Sequence, residues 1–307
     1  MALKKRTAIL LALGTVAVIA IVLWKPTVLI YGLQSAGLYA AIAIPMGLVL
    51  GIVHIVNLAH GEFMMMASYA TYFACKALGM DPLLAIVPTA LVTALFGWVI
   101  FQLTIRRALK APELNQLILT FGISIVFSQA INLAFTSQTF KMSLDYVSAS
   151  MDIGDITFGV WSFVFVAAAI LFTYGLTFFL TKTTTGKAAL AVGQNPRGAA
   201  IVGIDVNRIY GLVFAIATAL LGAMGALFLT KSAIFPSVGS PFTMKSFCLV
   251  AMAGVGNIPG ILSASILLGI SESFLRAFRG TREWADIVFF VLIIVVILSR
   301  SLKGRKS

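Results

Sequence analysis

Apolar residues along this chain fall into long unbroken runs, without the three-to-four-residue spacing that marks one buried face of a soluble helix. Scanning for stretches of about 20 residues, the length that crosses a bilayer, gives candidate spans near 7–24, 28–52, 62–80, 83–105, 115–135, 158–180, 209–230, 246–275 and 285–299. The run at 7–24 follows Lys4, Lys5 and Arg6 as a signal peptide would, but no small-residue cleavage site with a polar mature start follows it, so it reads as an uncleaved first helix. The pattern predicts an all-α polytopic membrane bundle, a single domain over 1–307, with about eight to ten transmembrane helices.

Two spans carry breaks. Pro45 falls within the second, with Gly47 and Gly51 four apart behind it. Gly254, Gly256, Pro259 and Gly260 interrupt the run at 246–275. Paired discontinuous or re-entrant segments near the two ends of a chain suit a translocation path, and non-helical backbone is tolerated at membrane depth only where protein or a cavity surrounds it. No internal repeat is evident by eye.

Charge placement orients the spans, because Lys and Arg collect in cytoplasmic loops. Lys4, Lys5 and Arg6 put the N-terminus inside; Arg106, Arg107 and Lys110 then fall inside, the segment 136–157 with Asp145, Asp152 and Asp155 outside, and Lys182, Lys187, Arg197 and Arg208 inside. Arg300, Lys303, Arg305 and Lys306 require a cytoplasmic C-terminus as well, so the number of crossings must be even. Nine runs become an even number if 246–275 is a re-entrant element or two short helices.

Composition agrees: 60% hydrophobic and 10% charged residues, with a mean hydropathy of +1.05, leave too little polar surface for a water-soluble globule of 307 residues. The net charge of +12 lies between spans, which makes it a topology signal and no sign of nucleic-acid binding. Cys75 and Cys248 sit in apolar stretches and read as buried packing residues.

Catalytic and nucleotide motifs are missing from the sequence. Thr181 to Ala188 (TKTTTGKA) lacks the first glycine and the metal-binding hydroxyl of a phosphate loop. The GVGNIPG stretch has one residue too many for a dinucleotide fingerprint, and no Cys/His cluster of metal spacing occurs. The chain is therefore expected to bind no cofactor of its own. His54, Asn57, His60 and Glu62 crowd into nine residues (HIVNLAHGE), either as a proton or cation site on one helix face or, more simply, as hydrogen-bonding groups at the start of a helix after a break at Asn57 to Gly61. Glu272 stands an i,i+4 step from Arg276, as a satisfied interfacial pair would.

The segment 181–208 is too long for a hairpin turn. It reads as two short helices, Lys187 to Val192 and Arg197 to Val202, broken by Gly193, Asn195 and Pro196, with Gly203 as a C-terminal cap. Its alanine-rich faces suit docking to another protein.

At these residues the chain resembles the permeases of branched-chain amino acid ABC transporters, the LIV type, and among them the shorter, H-type subunit. The likeness rests on Gly51 to Met65 (GIVHIVNLAHGEFMM), Ile118 to Gln129 (ILTFGISIVFSQ), Gly186 to Arg208, and Lys245 to Phe274 with its GVGNIPG core. It implies an inner-membrane permease that works with a second homologous permease subunit, two cytoplasmic ATPase subunits that use the ATP, and a periplasmic or extracellular substrate-binding protein. It also implies that the coupling loop docks an ATPase through Gly186, Pro196, Arg197, Gly198, Ala199 and Gly203. The superfamily's E-A-A-x-x-x-G pattern here has Arg197 for the glutamate and Gly198 for the first alanine, so no contact of that glutamate carries over. Asn57, His60, Gly61 and Glu62, with Gly254, Gly256, Pro259 and Gly260, are the family motif and candidate pathway. Branched-chain amino acids, a broader amino acid set, or urea and short amides all remain open as substrates. An ion-coupled secondary transporter using His54, His60, Glu62 or Glu272 is the rival reading; a scaffold and a membrane enzyme are weaker ones.

Overall fold

A computed structural model describes residues 26–153, 156–278 and 280–285, with the single positions 287, 290, 291 and 294. The first expected span, the basic residues at either terminus and Asp155 lie outside the described residues, as does most of the last span. The regular structure among the described residues is helical, apart from one hairpin.

Helix α1 (Pro26–Ile52) is followed by a non-helical stretch at 53–59, and α2 (His60–Leu78) comes next. Helix α3 (Pro82–Ile100) continues through a π-helical turn at Phe101–Ile105 to Ala108, and α4 covers Glu113–Phe135. A loop then carries the antiparallel hairpin β1 (Ser150–Ile153) and β2 (Ile156–Gly159), with Ser150 opposite Gly159. Helix α5 (Phe163–Lys182) leads to two short helices, α6 (Thr184–Gln194) and α7 (Pro196–Ile201), and then to α8 (Val206–Lys231). A second non-helical stretch at 232–239 precedes α9 (Ser240–Ala253), and α10 spans Ile258–Arg276.

Six of these helices are long and apolar enough to cross a membrane: α1, α3, α4, α5, α8 and α10. Helices α2 and α9 fall outside that set because they are shorter or more polar. Among the described residues eight helices therefore build the bundle, six of them of spanning length. The run at 246–275 divides into α9 and α10 at Gly254–Asn257, where Gly254 and Gly256 take φ of +93° and +79°. Of the two expectations for this run, a re-entrant element or two helices, the chain forms two helices.

Pro45 does not break α1. The helix runs through it, and Pro45 is buried with its neighbours. Proline leaves the carbonyl four residues earlier, that of Ala41, without its helical donor; next to it, the carbonyl of Ile42 takes a tertiary partner in His60, whose Nε2 lies 2.7 Å away. The real discontinuity comes after the helix, at 53–59.

The structure repeats where the sequence does not visibly do so. A long helix, a non-helical segment and a shorter helix occur as α1, 53–59 and α2, and again as α8, 232–239 and α9. Met46-Gly47 and Gly61 in the first unit match Met224-Gly225 and Gly239 in the second at equal spacing. The units interlock: α1 runs beside α9, with Tyr39 against Phe242 and Gly47 against Val250, while Gly225 of α8 lies on Met64 to Ser68 of α2. Further out, α1 packs against α10 in the opposite direction, with Gly32 on Ile270 and Gly47 on Ile261, and α8 packs on α3 in the same manner through Thr218 on Gly97 and Gly222 on Thr93. Glycine or small residues at each contact let the backbones approach closely.

Candidate functional site

Both non-helical segments turn back into the bundle. His60 sits beside Ile42, ten residues before the end of α1, which at 1.5 Å per residue is about 15 Å in from that end. Seven residues of extended chain can span about 23 Å, so 53–59 is long enough to make the return. Asn57 Oδ1 accepts from Ala59 N at 3.1 Å and turns the chain into α2. The N-terminus of α9 meets α2 at the same depth. Gly61 and Gly239 touch reciprocally: a Cβ on either would collide with the other's carbonyl oxygen. Gly61 N also donates to Thr243 Oγ1 of α9 at 2.8 Å. With 14 residues, α9 is about 21 Å long, too short for a hydrocarbon core of about 30 Å. Two helix starts therefore meet inside the bundle.

Glu62 lies at this junction, only 2% exposed, with Thr243 Oγ1 3.5 Å from its Oε2 and Ser124 of α4 within hydrogen-bonding reach. Helix α4 supplies two further hydroxyls at helical spacing. Thr120 Oγ1 donates to the carbonyl of Val56 at 3.1 Å, and Ser128 Oγ to that of Pro236 at 2.8 Å. One helix face thus satisfies a carbonyl from each non-helical segment, which unpaired backbone in hydrocarbon demands.

The four polar residues of HIVNLAHGE do not share a helix face, because 54–57 is non-helical and His54 has φ of +60°. His54 is exposed and lines an open cavity of about 270 Å³ with Val56, Gln116 and Val255, whereas His60, Asn57 and Glu62 are buried. Asn57, His60 and Glu62 make their hydrogen bonds around the start of α2.

At the far end of α2 the bundle is closed by aromatic rings. Phe73 stacks on Phe135 at 4.5 Å, Tyr69 stacks on Phe135 at 5.2 Å, and Phe140 packs against Tyr72 at 5.0 Å. Phe140 also exchanges two backbone hydrogen bonds with Ile234, at 2.9 and 2.8 Å, tying the loop after α4 to the second non-helical segment. The rest of that loop is latched by Tyr146, whose hydroxyl donates to Asp81 Oδ1 at 3.0 Å, and by Gln34, which donates to Gly159 O at 3.0 Å. Desolvation, and next the bond to Asp81, push the Tyr146 phenol up to about 12.

A buried ionic cluster braces α9. Lys245 Nζ lies 2.7 Å from Glu272 Oε1, Tyr39 Oη donates to Glu272 Oε2 at 2.6 Å, and Arg276 stands at 3.7 Å. The i,i+4 pair of Glu272 and Arg276 is present, but Lys245 and Tyr39 lie far from Glu272 in the chain, beyond the reach of any local spacing rule.

Near the end of α1, three glycines connect the short helices to the second break. A Cβ on Gly193 of α6 would stand 3.0 Å from the Gly51 carbonyl, and one on Gly51 would stand 2.7 Å from Gly256 Cα. Helix α6 is longer than expected, and Gly193 lies inside it; the break is at Asn195, whose Oδ1 accepts from Gly198 N at 2.9 Å with Pro196 opening α7. Gly186 packs on the end of α5 and accepts no side chain. Gly203 has φ of +88° just past α7. Ala199 faces inward and is buried, while Arg197, Ile201 and Val202 face outward, the last two 86% and 74% exposed. At the other break Pro259 opens α10, and Asn257 Oδ1 accepts from Gly260 N at 3.0 Å.

A family model described as the branched-chain amino acid transport system / permease component matches residues 28–297. The chain is 30% identical to the high-affinity branched-chain amino acid transport system permease protein BraD of Pseudomonas aeruginosa, over 89% of this chain and 92% of that one. It is 30% identical to LivH of Escherichia coli K12 over 87% of this chain and 91% of that one, and 29% identical to LivH of Salmonella typhimurium over the same shares. No solved structure matches. An all-helical polytopic bundle with two helix starts meeting in its interior, matched over nearly its whole length, belongs to the branched-chain amino acid transport permease family.

Proposed function

We propose that the chain is the membrane permease subunit of a binding-protein-dependent ABC importer, that it carries branched-chain amino acids across the inner membrane, and that ATPase subunits docked at α6–α7 drive it. The observation that carries this reading is the exposed Ile201–Val202 pair on a short helix whose neighbour α6 rests, through Gly193, on the end of α1 and thereby on the Gly254–Asn257 break. Apolar side chains this exposed at the polar end of a bundle mark a protein partner. The sequence has no phosphate loop, so ATP acts through that partner.

The basic residues beside α6–α7 support a cytoplasmic position for this end, with the hairpin end outside and both termini in the cytoplasm. The assembly comprises a second homologous permease subunit, two ATPase subunits and a soluble substrate-binding protein. Closing of the ATPases pushes on α7 and α6; the push passes through Gly193 to Gly51 and Gly256, and the two non-helical segments at the Gly61–Gly239 junction reopen toward the other side. Backbone groups and the hydroxyls of Thr120, Ser128 and Thr243 suit a zwitterion with an aliphatic side chain, and a urea or short-amide substrate has no comparable need for an apolar route.

Uptake of radiolabelled leucine by proteoliposomes holding the assembled transporter tests the reading. Accumulation that needs both internal ATP and the binding protein, and is unaffected by a proton uncoupler, is expected. Uptake that survives ATP depletion and collapses with the uncoupler would make the protein a secondary transporter.

A further inference from the structure

The π-helical turn of α3 has no part in transport as described above, although such turns are often found at functional sites. One extra residue in the winding carries the end of α3 round toward α8, where Gly211 packs on Phe101 and Gln102. Between the two helices lies a groove of about 710 Å³. Its polar end holds Arg106, whose Nη1 donates to Gln102 Oε1 at 2.9 Å, together with Asn207 and Arg208. Its apolar end is walled by Trp98 and Leu212, both well exposed.

We propose that this groove binds an anionic phospholipid of the inner leaflet, with the lipid phosphate between Arg106 and Arg208 and an acyl chain along Trp98 and Leu212. Three features point to a lipid. The first is depth: Arg106 lies two residues from the end of the span that includes α3, and Arg208 two residues into α8, where headgroups lie. Trp98 is eight residues further in, about 12 Å, at the depth of an acyl chain. The second is charge. Asp205, the one carboxylate in the lining, is committed to Arg208: it accepts from the backbone N at 3.1 Å and pairs with Nε at 3.1 Å. That contact orients the guanidinium, and Arg106 is left as the excess charge. The third is continuity, because the apolar wall runs on into the exposed α3 face of Leu91, Val92 and Leu95. Basic pockets between membrane helices on the cytoplasmic side recognise phosphorylated headgroups in this manner.

The groove also touches Thr185 of α6, so an occupant would stiffen the base of the coupling loop. The inference uses the cytoplasmic assignment of this end, but its test involves neither substrate nor ATP, so failure of the transport reading would not register in it.

Delipidated full-length protein in detergent is titrated with phosphatidylglycerol, phosphatidylcholine or inorganic phosphate. Retained lipid is counted by native mass spectrometry, and unfolding is followed with a thiol dye reporting the buried Cys75 and Cys248. Phosphatidylglycerol should be retained at one per chain and raise the unfolding midpoint, while phosphatidylcholine does neither. Arg106→Gln should abolish both effects without changing the lipid-free midpoint. Arg208→Gln should do the same, and if it lowers the lipid-free midpoint by disturbing the start of α8, the retained-lipid count of Arg106→Gln decides. Equal retention of both lipids, full retention by Arg106→Gln, or a complete shift with inorganic phosphate alone would overturn the proposal.

Discussion

Replacing Lys245 with methionine removes the cation that ties the half-length helix α9 to α10 while keeping most of the side-chain volume. At 2.7 Å and an effective dielectric constant near 20, the attraction between Lys245 and Glu272 is about 6 kcal/mol before desolvation. Desolvation offsets part of that, and removing one member of a buried pair destabilises by about 3–5 kcal/mol, chiefly through the charge left behind. Glu272 is 2% exposed, but the Tyr39 hydroxyl at 2.6 Å and Arg276 at 3.7 Å remain with it, which points to the lower end, about 3 kcal/mol. For a chain of this size each kcal/mol moves the unfolding midpoint by roughly 2 °C, so Lys245→Met should lower it by on the order of 6 °C. Glu272→Gln in the same background removes the stranded charge and should recover at least half of the loss, giving a coupling energy on the order of 1.5 kcal/mol or more. Thiol-dye unfolding of the four proteins measures this directly, because Cys248 lies on α9 itself. A midpoint unchanged by Lys245→Met, or single-variant losses that simply add in the double variant, would refute a braced α9.

Gly61→Ala should prevent a folded protein from accumulating, since its Cβ meets the Gly239 carbonyl, whereas Gly122→Ala on the open face of α4 should be silent; monodisperse yield after purification compares them. Phe140→Ala should loosen the aromatic closure, raising ATP hydrolysis without substrate and lowering uptake per ATP, and an unchanged ratio would show that these rings do not gate. The Tyr146 latch should weaken at high pH. Its folded value of about 12 lies above the ordinary value near 10, so its contribution is complete below pH 10 and is lost as pH rises toward 12. Tyr146→Phe should remove the corresponding late step from a phenolate absorbance titration.

Much of the layout could be read from the chain because bilayer crossing depends on local composition: the ends of α1, α4 and α8 fall within a few residues of the apolar runs. The break at 254–257 and the cap at Gly203 were equally legible, since Gly at positive φ and Pro at a helix start are local rules. Pro45 misled for a tertiary reason. The carbonyl of Ile42, in the turn before it, is met by His60, which no local rule anticipates. A break before α2 was legible at Asn57 to Gly61, but the return of 53–59 into the bundle was not, because it rests on contacts between distant residues, His60 with Ile42 and Gly61 with Gly239. The repeated unit escaped notice because only a few positions, such as Gly61 and Gly239, are held to one residue type by steric contact. In the segment proposed to dock the ATPases, composition pointed to small apolar faces, but inward Ala199 and outward Ile201 are both apolar, and only packing tells them apart.

The point at which force enters the permease is open to one direct measurement. Ile201→Glu places a charge on the most exposed apolar residue of α7 without touching the bundle interior. Co-purification of the ATPase subunits with this variant, alongside its unfolding midpoint, should show the ATPases lost and the midpoint unchanged. Full retention of the ATPases together with normal ATP-driven uptake would contradict the assignment of α6–α7 as the coupling element.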